Sequence, residues 1–402
     1  MEAETTTRLK GTLPKLFIAA GLTLALGILV NLFRGSQTLS TVLALGVTAW
    51  AFGLLLMYLR SMKWRLYFVV SGCALFYIAC EHYLAPHLMR PLKMRNYYYV
   101  SNPDHWDNFK VPPKGQNSDL IRCRWEPEDF KGDGINVVFL GDSFTFGSKL
   151  KAEEAFPHIV TDLLRTEFPD EDLKGANFGW ESSSPLLSLR KLEAIGDKYK
   201  PDVVALFLDM TDFQDDIKYA NMLEQNGIYW YLYHFPIAMH FLKEWSPDSF
   251  WDFYWKNNEG MPQRRFFVTE QPLEESLPYL EPIVKNIERI HNWCETRGAT
   301  FLLYVLPRSY QVSDKECPNN WEKDEYEILG PHSLVPFEYF YSLRNEVGYP
   351  IYLNLLTTFQ KTEVFPTCFD FDPHWNPAGS RVAAGGVLPG LKMAVQQVIE
   401  AR

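Results

Sequence analysis

The apolar run Ile135-Asn136-Val137-Val138-Phe139-Leu140 passes directly into Gly141-Asp142-Ser143-Phe144-Thr145-Phe146-Gly147. A short, mostly apolar run closed by a glycine reads as a strand buried on both faces. Such strands belong to parallel sheets covered by helices on each side. Residues that follow the strand emerge at its C-terminal edge, where open α/β sheets bind their ligands. The spacing therefore predicts that the Ser143 hydroxyl stands at that edge. A second segment, Asp372-Pro373-His374-Trp375-Asn376, lies near the other end of the chain and supplies an imidazole and a carboxylate two residues apart.

The chain from residue 134 onward repeats the alternation. Strands are predicted at Ile135–Leu140, Ala176–Phe178, Val203–Leu208 and Thr300–Leu306, all apolar runs. Helices are predicted at Ala155–Phe168, Leu186–Tyr199 and Glu274–Arg297, the last with Gly298 at its C-cap. A final helix starts near Pro377, a residue suited to a first helical position. Alternation of this kind implies an α/β domain, three-layered, with a parallel sheet between helices. Between residues 213 and 271 the rhythm stops and aromatics dominate, Trp230, Trp245, Trp251 and Trp255 among them. That insertion reads either as a lid or contact surface or as a segment with its own small core.

Three apolar runs open the chain, Leu16 to Phe33, Leu39 to Leu59 and Leu66 to Leu84. Each is close to the ~20 residues that cross a bilayer. Residues 1–88 are therefore expected to form a three-helix membrane anchor with the lipid bilayer as partner. Residues 89–133 read as an irregular interface segment carrying Tyr97, Tyr98, Tyr99 and Trp106. Arg8, Lys10 and Lys15 before the first run, and Arg60, Lys63 and Arg65 between the second and third, set the N-terminus in the cytoplasm. The domain at 134–402 is then expected on the periplasmic or other extracytoplasmic side of an inner or plasma membrane.

Charge and cysteine narrow the function further. A formal net charge of −10 argues against a nucleic-acid partner. The six cysteines include no CxxC pair and no zinc-like spacing, so neither a metal nor a cofactor is expected. Cys73 and Cys80 fall in an apolar run and read as inert thiols, whereas Cys317 and Cys368 are either bridged or both unpaired. Asp209, Asp212, Asp215 and Asp216 lack the glycine-containing loop of a calcium site and read as a solvated acidic loop.

From about Asn117 to the C-terminus the motifs resemble those of the SGNH, or GDSL, hydrolases. Gly141-Asp142-Ser143 is similar to that family's first block, and Asp372-Pro373-His374 to its last. The continuation Trp375-Asn376-Pro377-Ala378-Gly379 resembles the form found in membrane-associated members that modify polysaccharides by O-acylation. The resemblance implies a flavodoxin-like domain with Ser143 as nucleophile, His374 as base and Asp372 as the group that orients it. It implies an oxyanion hole built from the backbone N–H groups of Ser143 and Gly179 and a third-block side chain. Where the family has Gly-Asn-Asp, this chain has Met210-Thr211-Asp212, which puts Thr211 at the third donor. The implied activity is a membrane-anchored serine esterase or O-acyltransferase, with an acylated cell-envelope glycan as substrate. The altered third block leaves a second reading, a weak or inactive domain serving as an accessory subunit of a larger membrane complex.

Overall fold

The computed structural model describes residue 72 and residues 115–402, apart from 225, 259 and 317–319. Apart from residue 72, the three apolar runs lie outside the described residues, as do the tyrosine-rich segment, Cys73, Cys80 and Cys317, and the question of a Cys317–Cys368 bridge lies there with them.

The α/β domain is built in chain order. It begins with β1 (Ile135–Gly141), a short α1 (Ser143–Phe146), α2 (Phe156–Glu167), β2 (Leu173–Asn177), α3 (Pro185–Ile195), β3 (Val203–Leu208) and α4 (Asp212–Glu224). Three helices follow, α5 (Ile228–His234), α6 (Pro236–Trp245) and α7 (Pro247–Lys256). The chain continues with α8 (Leu273–Glu295), β4 (Thr300–Val305), α9 (Ser309–Val312), α10 (Val335–Leu343), β5 (Ile351–Tyr352) and α11 (Asn354–Lys361). A hairpin of β6 (Cys368–Phe369) and β7 (Asp372–Trp375) leads into α12 (Pro377–Ala401).

Strands β1 to β5 form one sheet in the order β2-β1-β3-β4-β5. Every pairing in it is parallel. That is the flavodoxin-like order, in which the chain reverses direction at β1 and β3 and opens a crevice at their C-terminal ends. Alternate side chains of the strands feed two cores. Val138, Leu140, Val204 and Leu206 face one way, toward Ile283 and Ile287 of α8 and Leu189 of α3. Val137, Phe139, Ala205 and Phe207 face the other, toward Val160 of α2 and Val387 and Leu391 of α12. Burial on both faces explains why these strands are continuous apolar runs.

Two sequence expectations shift. The second strand covers Leu173–Asn177 rather than 176–178, because Leu173 through Asn177 pair in register with Ile135 through Phe139. Lys174 and Gly175 hide it from a hydrophobicity reading, yet Lys174 is buried with its ammonium paired to Asp172. The acidic run is not a solvated loop: Asp209, Asp212, Asp215 and Asp216 are all buried. Three of them have a charged or doubly donating partner that offsets burial, while Asp212 accepts from Asp209 N at 2.8 Å through Oδ2 and its Oδ1 is unsatisfied among the described residues. Asp209 takes Arg308, Asp215 takes Lys218, and Asp216 accepts from Leu186 N at 2.8 Å and Asn286 Nδ2 at 2.6 Å.

Residues 230–253 do not belong to the compact unit that holds the α/β domain. Among them the Tyr231 and Phe253 rings meet edge-on at 4.9 Å, and Trp230 lies 5.8 Å from Phe235. Among the described residues one helix, α12, is long and apolar enough to cross a membrane. Its Ala383, Ala384, Val387 and Leu391 are buried in the domain core.

Candidate active site

The site begins at the turn that ends β1. Gly141 has φ +150, and a Cβ there would sit 2.3 Å from Thr145 Oγ1 and 2.8 Å from the Phe207 carbonyl oxygen. Only glycine lets the chain turn so close to β3. Asp142 caps the next helix, its Oδ1 accepting from Phe144 N at 2.9 Å. Ser143 is the first residue of α1, so its N–H has no acceptor within the helix. Gly147 closes α1 in the left-handed conformation.

The base arrives on the β6–β7 hairpin. Asn376 fixes the end of that hairpin. Its Oδ1 accepts from Ala378 N and Gly379 N at 2.8 and 3.0 Å, capping α12, and its Nδ2 donates to the Pro366 and Cys368 carbonyls. Trp375 is buried, stacked on Phe359 at 4.9 Å and edge-on to Phe144 at 4.9 Å. The Trp-Asn pair after the histidine thus works as an anchor: it locks β7 and α12 against the helix that carries Ser143.

The result is a hydrogen-bonded relay. Ser143 Oγ lies 2.8 Å from His374 Nε2, and His374 Nδ1 lies 2.5 Å from Asp372 Oδ1. Burial pushes the Asp372 carboxyl up, but hydrogen bonds from His374 and Lys149 outweigh it and hold the group well below the usual carboxylate range. An ionised carboxylate only accepts, so Nδ1 carries the proton and Nε2 is left to accept from the serine. The outer oxygen, Oδ2, takes Lys149 Nζ at 2.6 Å and Trp321 Nε1 at 3.3 Å.

Behind the serine lies a buried charge cluster that sequence reasoning did not find. Arg308, 2% exposed, donates to Asp209 through Nε at 2.6 Å and Nη2 at 2.5 Å, and to Glu322 through Nη1 at 2.9 Å. Its guanidinium also lies 4.7 Å from the centre of the Phe144 ring. Burial raises the Asp209 carboxyl, but Arg308 overrides it and holds it low. Asp142 has no such direct partner: burial and then the Asp209 carboxylate push it up to about 7, with Arg308 opposing. Burial, then Asp142 and Asp209, raise Asp212 well above the ordinary range. The signal available in the sequence was Arg308 itself, a charge placed two residues after a buried strand at the same sheet edge as Ser143.

Two of the three expected oxyanion donors are engaged elsewhere. The Thr211 hydroxyl donates to Asp209 Oδ2 at 2.6 Å, and a hydroxyl has a single proton to give. With its proton so placed, the Thr211 hydroxyl satisfies a buried carboxylate. The Gly179 N–H donates to Asn177 Oδ1 at 2.9 Å. Gly179 is required instead for close approach, because a Cβ would lie 2.4 Å from Phe146 N. Five residues along the chain from Asn177, Ser182 holds a left-handed φ of +56, and its carbonyl accepts from Tyr219 Oη at 2.5 Å.

No family model and no curated protein matches this chain. Solved structures do. TesA is 15% identical over 64% of this chain and 99% of its own, with a TM-score of 0.36. Axe2, an acetylxylan esterase from Geobacillus stearothermophilus, is 15% identical over 64% of this chain and 95% of its own, with a TM-score of 0.35. A G-D-S-L family protein from Desulfitobacterium hafniense DCB-2 is 13% identical over 64% and 99%, with a TM-score of 0.35. At such TM-scores the likeness adds nothing to what strand order and interatomic distances establish for this chain.

Proposed function

We propose that the α/β domain is an SGNH-type serine hydrolase that cleaves or transfers an acyl group carried as an ester. The observation that supports this most is the unbroken relay Ser143 Oγ, His374 Nε2, His374 Nδ1, Asp372 Oδ1, with spacings of 2.8 and 2.5 Å. His374 removes the serine proton as Oγ attacks the ester carbonyl. Asp372 keeps the imidazole in the required tautomer and stabilises the imidazolium. The imidazolium then protonates the leaving alkoxide. Water or an acceptor hydroxyl, deprotonated by His374, attacks the acyl-serine and frees the enzyme. The Ser143 N–H, unpaired within α1, is the donor best placed for the oxyanion.

The finer reading rests on sequence. The three N-terminal apolar runs favour a membrane anchor with the domain outside the cytoplasm. The Asp-Pro-His-Trp-Asn segment favours an O-acyl group, acetyl above all, on a cell-envelope glycan. A second reading, an accessory subunit with little turnover, draws support from the commitment of Thr211 and Gly179 to internal acceptors. Each missing oxyanion donor costs about 10²–10³ in rate. Turnover of 4-nitrophenyl acetate by the detergent-solubilised full chain, beside Ser143→Ala, separates the two. The hydrolase reading expects turnover that the alanine variant lacks. Equal rates for both proteins would leave the accessory role standing.

A further inference from the structure

Lys149 has an unusual backbone for its side chain. It follows α1 by three residues and holds φ +65, and Gly147 just before it holds φ +77. A lysine in the left-handed region is disfavoured because its Cβ crowds the backbone. Two such residues within three turn the chain sharply after the nucleophile helix. The turn is pinned from the side by Ser148 Oγ, which donates to Glu181 Oε1 at 2.9 Å. It carries the Lys149 ammonium to 2.6 Å from Asp372 Oδ2, the oxygen that His374 does not use.

We propose that Lys149 is a positioning residue, which clamps the outer oxygen of Asp372 and thereby sets how strongly that carboxylate holds the His374 imidazole. The proposal rests on the serine-hydrolase reading of the site. A surface ion pair ordinarily contributes little. This one has one open end and one closed end: the Lys149 side chain is 54% exposed and that of Asp372 7%. Screening is weaker around a carboxylate so placed. Trp321 donates to the same oxygen, so Asp372 stays partnered when the lysine is replaced.

Other charges also face His374. Asp142, at the end of β1, lies behind Ser143 with its Oδ2 3.2 Å from the serine Oγ. Across the Phe144 ring, which is 5.0 Å from the imidazole, stands the Arg308–Asp209 pair. All of these are buried and held by the fold. Lys149 is half-exposed, so its charge can be removed with the least disturbance. Without it, Asp372 presents more negative charge to the ring, and the protonated imidazole is favoured.

The test is the acid limb of kcat/KM on 4-nitrophenyl acetate, measured for the full chain in detergent. Lys149→Met is expected to move that limb up by about half to one pH unit, with Lys149→Arg close to wild type. The same shift is expected in the His374 titration followed by NMR in Ser143→Ala protein with and without Lys149→Met. Lys149→Gln gives a second neutral variant if the methionine disturbs the loop. An unshifted His374 titration, or a loss of activity equal at every pH, would overturn the proposal. Absence of ester turnover in the wild type would sink the hydrolase reading, while the NMR titration would still decide the role of Lys149.

Discussion

Ser143 and His374 are 231 positions apart in the chain, yet Ser143 Oγ lies 2.8 Å from His374 Nε2. Two local devices bring them together. The β1 turn projects the serine from the sheet edge, and Trp375, packed between Phe144 and Phe359, seats the hairpin that carries the histidine. The relay is thus held by apolar packing beneath it as much as by its own hydrogen bonds.

Thr211→Val separates a structural role from a catalytic one. If the hydroxyl serves only the Asp209 carboxylate, its loss leaves a buried acceptor short of one donor. Stability is expected to fall by about 1–3 kcal/mol, with turnover per folded molecule nearly unchanged. A fall in kcat of about 10² or more at unchanged stability would return Thr211 to the oxyanion hole. Urea unfolding and active-site titration give the two numbers.

Arg308→Met removes the cation shared by Asp209 and Glu322, both of which are about 1% exposed at the side chain. Glu322 keeps Arg265 at 3.2 Å, but Asp209 is left as an uncompensated buried carboxylate, typically at about 3–5 kcal/mol. The variant is expected to unfold at much lower urea, and a midpoint equal to wild type would refute the account of the cluster.

Asp142→Asn probes the cluster by pH. In the folded protein Asp142 keeps its proton to about 7. An unfolded aspartate releases its proton near pH ~4. Between those values the folded chain binds more protons, so this group's contribution to stability falls as pH rises from about 4 to about 7. Asp216, raised by burial to about 6, acts with the same sign and remains in the variant. Urea midpoints at pH 5 and pH 8 should therefore drop less in Asp142→Asn than in wild type. An equal drop would place Asp142 outside the pH response.

Gly179→Ala tests the close approach of the β2–α3 loop to the nucleophile helix. The added Cβ would meet Phe146 N at 2.4 Å and Thr145 C at 2.7 Å, both backbone atoms. Neither can move without shifting α1, so stability should fall by about 1–3 kcal/mol and turnover should fall with it. Retained stability with lost turnover would point instead to a Gly179 N–H donor displaced from the site, since alanine keeps the amide.

Much of this was legible because it is local. The runs at β1, β3 and β4 are apolar on both faces, and the Gly-Asp-Ser and Asp-Pro-His segments each carry their chemistry within a few residues. What was not legible depends on distant partners. Strand β2 is a strand because it pairs with β1, despite Lys174 and Gly175. β5 is two residues long and, among the described residues, pairs with β4 alone. Nothing near Thr211 says that its proton goes to Asp209. That follows from Arg308, which stands 99 positions from Asp209 and draws the carboxylate into the core. The acidic run looked solvated for the same reason.

The central claim is that Ser143 is the nucleophile activated by His374. Its most direct measurement is mass spectrometry of the full chain after treatment with a fluorophosphonate, beside Ser143→Ala and His374→Ala. One phosphonyl group on the peptide carrying Ser143 in the wild type, and none in either variant, is the predicted result. An unlabelled wild type, or equal labelling of all three proteins, would contradict it.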